Sequence, residues 1–250
     1  MRARSIAIGA ALAMVAVACG SSPTAPTDGL TQQIVTEHFV FHYSSGDAVN
    51  PEWQEAFHTW AVAQLEVTPP IVTYNKYRNR AQMGALTGHG NTNGYAELPL
   101  PLVHTIWPFD NHEVVHVYAA SWGFPVALFI EGLAVAHQTN PQAGDFVPKW
   151  SGTPIHDLAR QFRASGQLIP IASIAETAAF RARSDGITYP ESGSFVRFLV
   201  DTEGIAAMRR LFGAIGNDAP LAAVRRGFED VYGYGLDEAE SRWLRFLAGG

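Results

Sequence analysis

The 250-residue chain has little cysteine, little lysine and little charge of either sign. Cys19 is its single cysteine, and Lys76 and Lys149 are its only lysines. A single cysteine excludes an internal disulfide, so the fold must be stabilised mainly by core packing. Charged residues make up 16% of the chain and hydrophobic residues 47%. This balance argues against long disordered stretches and favours one or two compact domains.

Basic residues are few, and this limits the kinds of partner that the protein can bind. The formal net charge is −6, and two of the arginines, Arg2 and Arg4, lie in a segment that we expect to be removed. Without them, 15 basic residues remain against 23 acidic ones, which gives a net charge of −8. A protein that binds nucleic acid needs a basic surface to neutralise phosphates, so no nucleic-acid partner is expected.

The N-terminus has the pattern of an export signal. Arg2 and Arg4 precede an apolar run at 6–18, whose 13 residues are too few to span a bilayer comfortably. The run ends in Ala16-Val17-Ala18-Cys19-Gly20, which resembles the lipobox of a bacterial lipoprotein. Residues 1–18 are therefore predicted to be a lipoprotein signal peptide. The alternative is a plain secretory signal followed by an incidental cysteine.

Lipidation at Cys19 would determine where the protein acts. The lipidated cysteine becomes the mature N-terminus, and residues 19–30, rich in Ser, Pro and Thr, form a flexible tether. We expect a protein exported to the bacterial cell envelope, periplasmic or on the outer surface. It touches the membrane only through this lipid anchor. Residues 31–250 are predicted to form the folded domain.

Strand patterns come first along this domain and helical patterns follow. Alternating β-branched and aromatic residues predict strands at 33–43 and 71–77, and prolines limit residues 95–106 to an extended edge segment. Apolar residues at helical spacing predict helices at 51–67, from 108 or 110 to 123, and at 126–138, 156–164, 191–201, 205–214, 221–232 and 237–247. This order indicates an α+β fold. A small N-terminal mixed sheet packs on a mostly helical C-terminal part, with the helix that ends at 123 between them.

The most specific pattern is His112-Glu113-Val114-Val115-His116, an HExxH sequence on a predicted helix. Positions i and i+4 share one helix face, so both imidazoles can point at one metal ion, and Glu113 lies where it can act on a bound water. Glu131, in the next predicted helix, is the expected third ligand. Two imidazoles and a carboxylate suit zinc, and they leave a fourth coordination position open.

The alternative is an ordinary helix whose histidines bind no metal. The residues around the histidines are apolar, as are residues 127–130 before Glu131, so these polar groups are expected to be buried. Unpaired imidazoles and a lone carboxylate would be costly in such surroundings. A shared Zn²⁺ ion held by His112, His116 and Glu131 removes that cost.

These residues resemble the gluzincin metallopeptidases, in particular the small bacterial peptidase-MA-like proteins. The hallmark is HExxH followed on the next helix by a Glu-Gly-Leu-Ala segment, here 112–116 and 131–134. Residues 188–199, with Tyr189 ahead of a Ser-Phe-Val segment, look like a later helix of that family. The likeness extends over most of residues 33–247, and the metal motif is its specific part.

The resemblance implies a zincin-like fold and a zinc-dependent peptidase that hydrolyses peptide bonds in a peptide or protein substrate. Glu113 is then the general base. Tyr189 is the candidate hydrogen-bond donor to the oxyanion, with a capping or core tyrosine as the alternative. Gly94, Tyr95 and Ala96 are candidates for substrate binding, in which an extended peptide pairs along a strand edge.

Two other functions are compatible with the sequence. A zinc-stabilised lipoprotein of the same fold could bind a peptide or an envelope partner without cleaving it, but a binder has no need of Glu113. An envelope scaffold in which the motif is a relic would have no reason to keep three intact ligands. Hydrolysis is therefore the expected function.

Overall fold

The computed structural model describes residues 29–249. The predicted signal peptide at 1–18, Cys19 and the tether up to residue 28 lie outside the described residues. Leu30, at the end of the predicted tether, is buried beside Tyr77 and Met83 and so belongs to the folded part. No helix among the described residues is both long and apolar enough to cross a membrane.

Five strands form a mixed sheet in the N-terminal part of the chain. They are β1 (Gln32–Val35), β2 (Phe39–Tyr43), β3 (Val72–Lys76), β4 (Gly94–Glu97) and β5 (Leu102–Thr105). Their order is β1-β2-β3-β5-β4, in which β2, β3 and β5 are parallel and the two outer strands are antiparallel to their neighbours. The predicted mixed sheet is therefore confirmed.

Ten α-helices follow or connect these strands within residues 29–249. They are α1 (Pro51–Leu65), α2 (Arg80–Thr87), α3 (Asn111–Ala119), α4 (Ala127–Ala136), α5 (Ile155–Ser165), α6 (Thr177–Arg181), α7 (Asp185–Glu203), α8 (Ile205–Ala214), α9 (Leu221–Tyr232) and α10 (Leu236–Leu247). A small hairpin of β6 (Lys149–Trp150) and β7 (Thr153–Pro154) precedes α5. The α+β architecture, with a mostly helical C-terminal part, is confirmed.

Two strand predictions were wrong in detail. Residues 33–43 are a hairpin rather than one strand, since the chain turns where the Thr36 N–H donates to the Phe39 carbonyl at 2.9 Å. The turn coincides with the polar residues Thr36, Glu37 and His38, which interrupt the alternation between the two strands. The predicted edge segment 95–106 is two strands, of which β4 is the edge and β5 is internal. Its prolines lie in the turn between them, where no ladder hydrogen bond is needed.

Three helical features also differ from prediction. Helices α2 and α6 were not predicted, because each is short and has few apolar residues at helical spacing. Helix α7 begins at Asp185 rather than 191 and contains Pro190. Pro190 is the sixth residue of the helix and lacks the N–H that would bond to the Gly186 carbonyl, so the helix loses one backbone hydrogen bond there.

One core joins the sheet to the helices. Phe41, Tyr74 and Val103 stand in register on one sheet face and belong to the same buried cluster as Val115 of α3 and Phe129 of α4. Helix α3 packs against β4 and β5 of the sheet and against α1 and α4. The helix that carries the HExxH motif therefore connects the two parts of the fold, as predicted.

Helices α4 and α7 approach each other unusually closely through two glycines. A Cβ on Gly132 would lie 2.6 Å from Val196 Cγ2 and 2.9 Å from the Ser192 carbonyl oxygen. A Cβ on Gly193 would lie 2.3 Å from Val135 Cγ1. All three distances are below any normal contact, so α4 and α7 can lie this close only because residues 132 and 193 have no side chain.

Replacing Gly193 by Ala is expected to destabilise the protein by about 1–3 kcal/mol, since overpacking must push α4 and α7 apart. The matched control is Gly186→Ala in the same helix, where the new methyl would meet only Ser184 Oγ at 3.6 Å. That change should stay within about 0.5 kcal/mol. Denaturant unfolding of both variants measures the difference, and equal stabilities would contradict the packing argument.

Candidate metal centre

Helix α3 begins directly at the motif because Asp110 caps it. The Glu113 N–H donates to Asp110 Oδ1 at 3.3 Å, and the Thr105 hydroxyl donates to Asp110 Oδ2 at 2.6 Å. The cap thus ties the first turn of α3 to the end of β5. The Asn111 side chain donates to the Thr139 carbonyl, which fixes the same turn to the segment after α4.

The two motif histidines and Glu131 converge on one point. His112 Nε2 lies 3.2 Å from His116 Nε2 and 3.2 Å from Glu131 Oε2, and His116 Nε2 lies 3.4 Å from the same oxygen. His116 and Glu131 are buried, with 9% and 6% of their surfaces exposed. Among the described residues, these three form the only group of three or more His, Cys, Asp or Glu side chains close enough to share a metal ion.

The spacing of these three atoms fits zinc. Bonds of about 2.0–2.1 Å to a tetrahedral zinc place any two ligand atoms about 3.3–3.4 Å apart. The three separations of 3.2, 3.2 and 3.4 Å match this triangle closely. Two imidazole nitrogens that face each other at 3.2 Å cannot both present lone pairs without a shared proton or cation between them. The donor set therefore suits one divalent metal ion.

Charge interactions within the triad outweigh the effect of burial on the pKa values of Glu131 and His112. Burial alone would raise the pKa of Glu131, but the contacts with His116 and His112 hold it well below its usual range. Burial alone would lower the pKa of His112, whereas its hydrogen bond to Glu131 and the nearby carboxylates raise it to about 9. The Glu131 carboxylate thus stays anionic and attracts positive charge to this point.

Glu113 is a half-buried acid beside the triad. Burial is the main cause that raises its pKa to about 7, the His112 charge opposes this shift, and the Asp110 charge adds to it. Gly94 of β4 lies against this side chain. A Cβ on Gly94 would lie 3.1 Å from Glu113 Cγ and 2.8 Å from Asp110 Oδ2. Glycine at position 94 thus leaves the space that the Glu113 side chain occupies.

A second layer of contacts orients the ligands. Gln138 Oε1 lies 3.2 Å from His112 Nδ1, and Gln138 Nε2 donates to the Lys149 carbonyl at 2.7 Å. The hydrogen bond to Nδ1 leaves Nε2 as the nitrogen that faces the triad, a common arrangement for metal-binding histidines. Gln138 was not singled out from the sequence, because an amide after a helix end carries no recognisable pattern.

Tyr189 reaches the site from α7. Its ring centroid lies 6.0 Å from that of His112, and it also packs on Trp150 at 5.3 Å and Phe180 at 5.6 Å. Burial raises the pKa of Tyr189 above its usual range, so the hydroxyl keeps its proton at neutral pH. The structure therefore brings Tyr189 to the predicted ligands, inside a helix rather than just before one.

Arg181, at the end of α6, was missed at the sequence level. Its guanidinium donates to Glu131 Oε1 through Nη2 and to the Tyr189 hydroxyl oxygen through Nη1. Half of the side chain is exposed to the cleft, at 49%. No sequence signal could have found it, since 50 residues separate it from Glu131 and α6 carries no motif.

These residues lie in a cleft of about 990 Å³. It is lined by the triad, Glu113, Arg181 and Tyr189, and by the three residues predicted to bind substrate, Gly94, Tyr95 and Ala96. Strand β4 is the edge strand on this side of the sheet. The Tyr95 ring stacks on His104 of β5, with centroids 4.6 Å apart, so His104 supports this strand.

No protein-family model matches the chain, and no curated protein matches it significantly. Function is therefore inferred from the site, in which His112, His116 and Glu131 converge beside Glu113 within one cleft.

Zinc is expected to raise the stability of the metal-free protein, because it binds the native triad and not the unfolded chain. Free zinc at 100 times the dissociation constant should add about 2.7 kcal/mol. His116→Ala should remove this gain in stability. The control is His89→Ala, which changes an exposed residue of the same cleft and should leave the gain intact. Thermal unfolding after chelation and zinc addition measures the effect. An unchanged melting temperature for the native sequence would rule out the metal site.

Proposed function

We propose that this protein is a zinc-dependent peptidase of gluzincin type with a zincin-like fold. The observation that carries the proposal is the spacing of the three donor atoms, 3.2–3.4 Å, with the Glu113 side chain in the same cleft. A bound zinc ion supplies Lewis acidity, which polarises a water molecule and the substrate carbonyl. His112, His116 and Glu131 would hold the ion.

Glu113 acts as the general base of the proposed reaction. An effective base has a pKa near the working pH, and burial raises the pKa of Glu113 to about 7. Its carboxylate accepts a proton from the attacking water and passes it to the departing amine. Asp110 fixes the backbone of Glu113 at the helix start, and Gly94 of β4 leaves room for the Glu113 side chain.

Tyr189 is the proposed donor to the oxyanion. Its hydroxyl oxygen already accepts a hydrogen bond from Arg181, so its own hydrogen is free to point into the cleft. The raised pKa keeps that hydrogen in place at neutral pH. A donor of this kind contributes about 3–4 kcal/mol to the stabilisation of the transition state.

Strand β4 is the proposed contact for the substrate backbone. Gly94, Tyr95 and Ala96 line the cleft, and β4 is hydrogen-bonded to a single neighbour, β5, among the described strands. Its outer edge can accept an extended peptide as an additional strand. The substrate is therefore a peptide or an extended protein segment. Export and a lipid anchor at Cys19 remain part of the proposal and rest on the N-terminal sequence.

Glu113→Gln should leave zinc binding intact and lower the rate of peptide hydrolysis by roughly 10²–10⁴-fold, since the amide cannot accept the proton. The control is Glu229→Gln, an exposed change on α9 that should leave the rate unchanged. Cleavage of a peptide library by zinc-loaded protein provides the measurement. Native protein that binds zinc but cleaves no peptide would favour the alternative of a non-catalytic binding lipoprotein.

Gly94→Ala should also lower the hydrolysis rate while zinc binding persists. The new methyl would displace the Glu113 side chain, and misplacing a catalytic group by about 1 Å can lower a rate 10²-fold. Gly216→Ala is the control, because a Cβ there has no neighbour within 4 Å. If Gly94→Ala keeps the native kcat, the proposed contact does not position the base.

A further inference from the structure

Arg181 contacts two residues of the proposed site with one planar group. Its Nη2 donates to Glu131 Oε1 and its Nη1 donates to the Tyr189 hydroxyl oxygen. The adjacent Phe180 is 1% exposed, which anchors the end of α6 in the core. The arginine is therefore held at its base while its guanidinium reaches into the cleft.

The contact with Glu131 determines how this carboxylate meets the histidines. Oε2 faces His112 and His116 at 3.2 and 3.4 Å, whereas Oε1 is occupied by Arg181. A carboxylate with both oxygens free can rotate, bind a metal through two oxygens or bind through neither. With Oε1 occupied, a single oxygen stays directed at the point where the histidines converge.

The contact with Tyr189 determines the role of its hydroxyl. A phenol oxygen that accepts from a guanidinium directs its own hydrogen elsewhere, and the adjacent cation strengthens that hydrogen as a donor. The guanidinium carbon also lies 5.9 Å from the centre of the Tyr189 ring, within the range of a cation–π contact. Arg181 thus fixes both the position and the polarity of this side chain.

We propose that Arg181 is a positioning residue that couples the metal ligand Glu131 to the oxyanion donor Tyr189. This proposal rests on the proposed function, since it assigns Arg181 a role toward a bound metal ion and a reacting carbonyl. The planar fork of donors is essential, because it serves two acceptors at once. A lysine ammonium at the same place keeps the charge but loses the fixed fork geometry.

Three variants separate the two contacts. Arg181→Met should weaken zinc binding by about 10–100-fold, the usual effect of losing an outer-shell partner, and should also lower kcat. Arg181→Lys should restore most of the zinc affinity, because its charge still pairs with Glu131, but should not restore kcat. In a Tyr189→Phe background, Arg181→Met should lower kcat no further while it still weakens zinc binding.

Two readouts do not depend on catalysis. Competition with a fluorescent chelator gives the zinc affinity. The visible spectrum of the cobalt-substituted protein reports whether Glu131 still binds through one oxygen, and we expect this spectrum to change in Arg181→Met. The matched control is Arg225→Met on α9. Arg225 lies outside the cleft lining and pairs with Asp237 of α10 at 2.6 Å. It should leave affinity, spectrum and kcat unchanged.

Failure of this inference differs from failure of the proposed function. If the native protein binds zinc and Arg181→Met has the same affinity and cobalt spectrum, the positioning role is overturned, whatever the activity. If the native protein binds zinc but cleaves nothing, the peptidase proposal fails, and the affinity and spectrum alone decide the role toward Glu131. If the native protein binds no zinc, both proposals fall.

Discussion

The close approach of α4 and α7 is the constraint on which the candidate site depends. Helix α4 carries Glu131 and α7 carries Tyr189, and the two helices pack without side chains at Gly132 and Gly193. With larger residues at these positions, the two helices would stand further apart and the ligand would move away from the tyrosine. The geometry of the candidate site thus depends on two residues that have no side chain.

The surroundings of the triad favour the binding of a cation. Helix α3 lies in the core shared by the sheet and the helices, and Val114 and Val115 are fully buried beside the motif histidines. In these apolar surroundings, two imidazoles and a carboxylate with no proton or cation between them would be unfavourable. Arg181 neutralises one Glu131 oxygen from the cleft side, and the other oxygen faces the histidines.

The sequence predicted the features that depend on local patterns. The HExxH spacing and the apolar run before Glu131 identified three residues that do converge, and helical periodicity identified α8 and α9 at their observed bounds. Features that depend on distant contacts were not predictable. Arg181 has no pattern of its own, and the internal position of β5 follows from pairing with β3, which no local alternation encodes.

The chemical nature of the ligand atoms has a consequence for the conditions under which the site can work. Two imidazole nitrogens and one carboxylate oxygen make up the triad, and residues 29–249 contain no cysteine. Thiolate ligands lose their affinity for metal when the sulfur is oxidised, and they prefer soft ions such as Cu(I). Imidazole nitrogens and carboxylate oxygens are not oxidised in this way and do not share that preference. A metal site of this composition would keep its affinity across changes in redox potential, and acidity rather than oxidation would set the limit of metal binding.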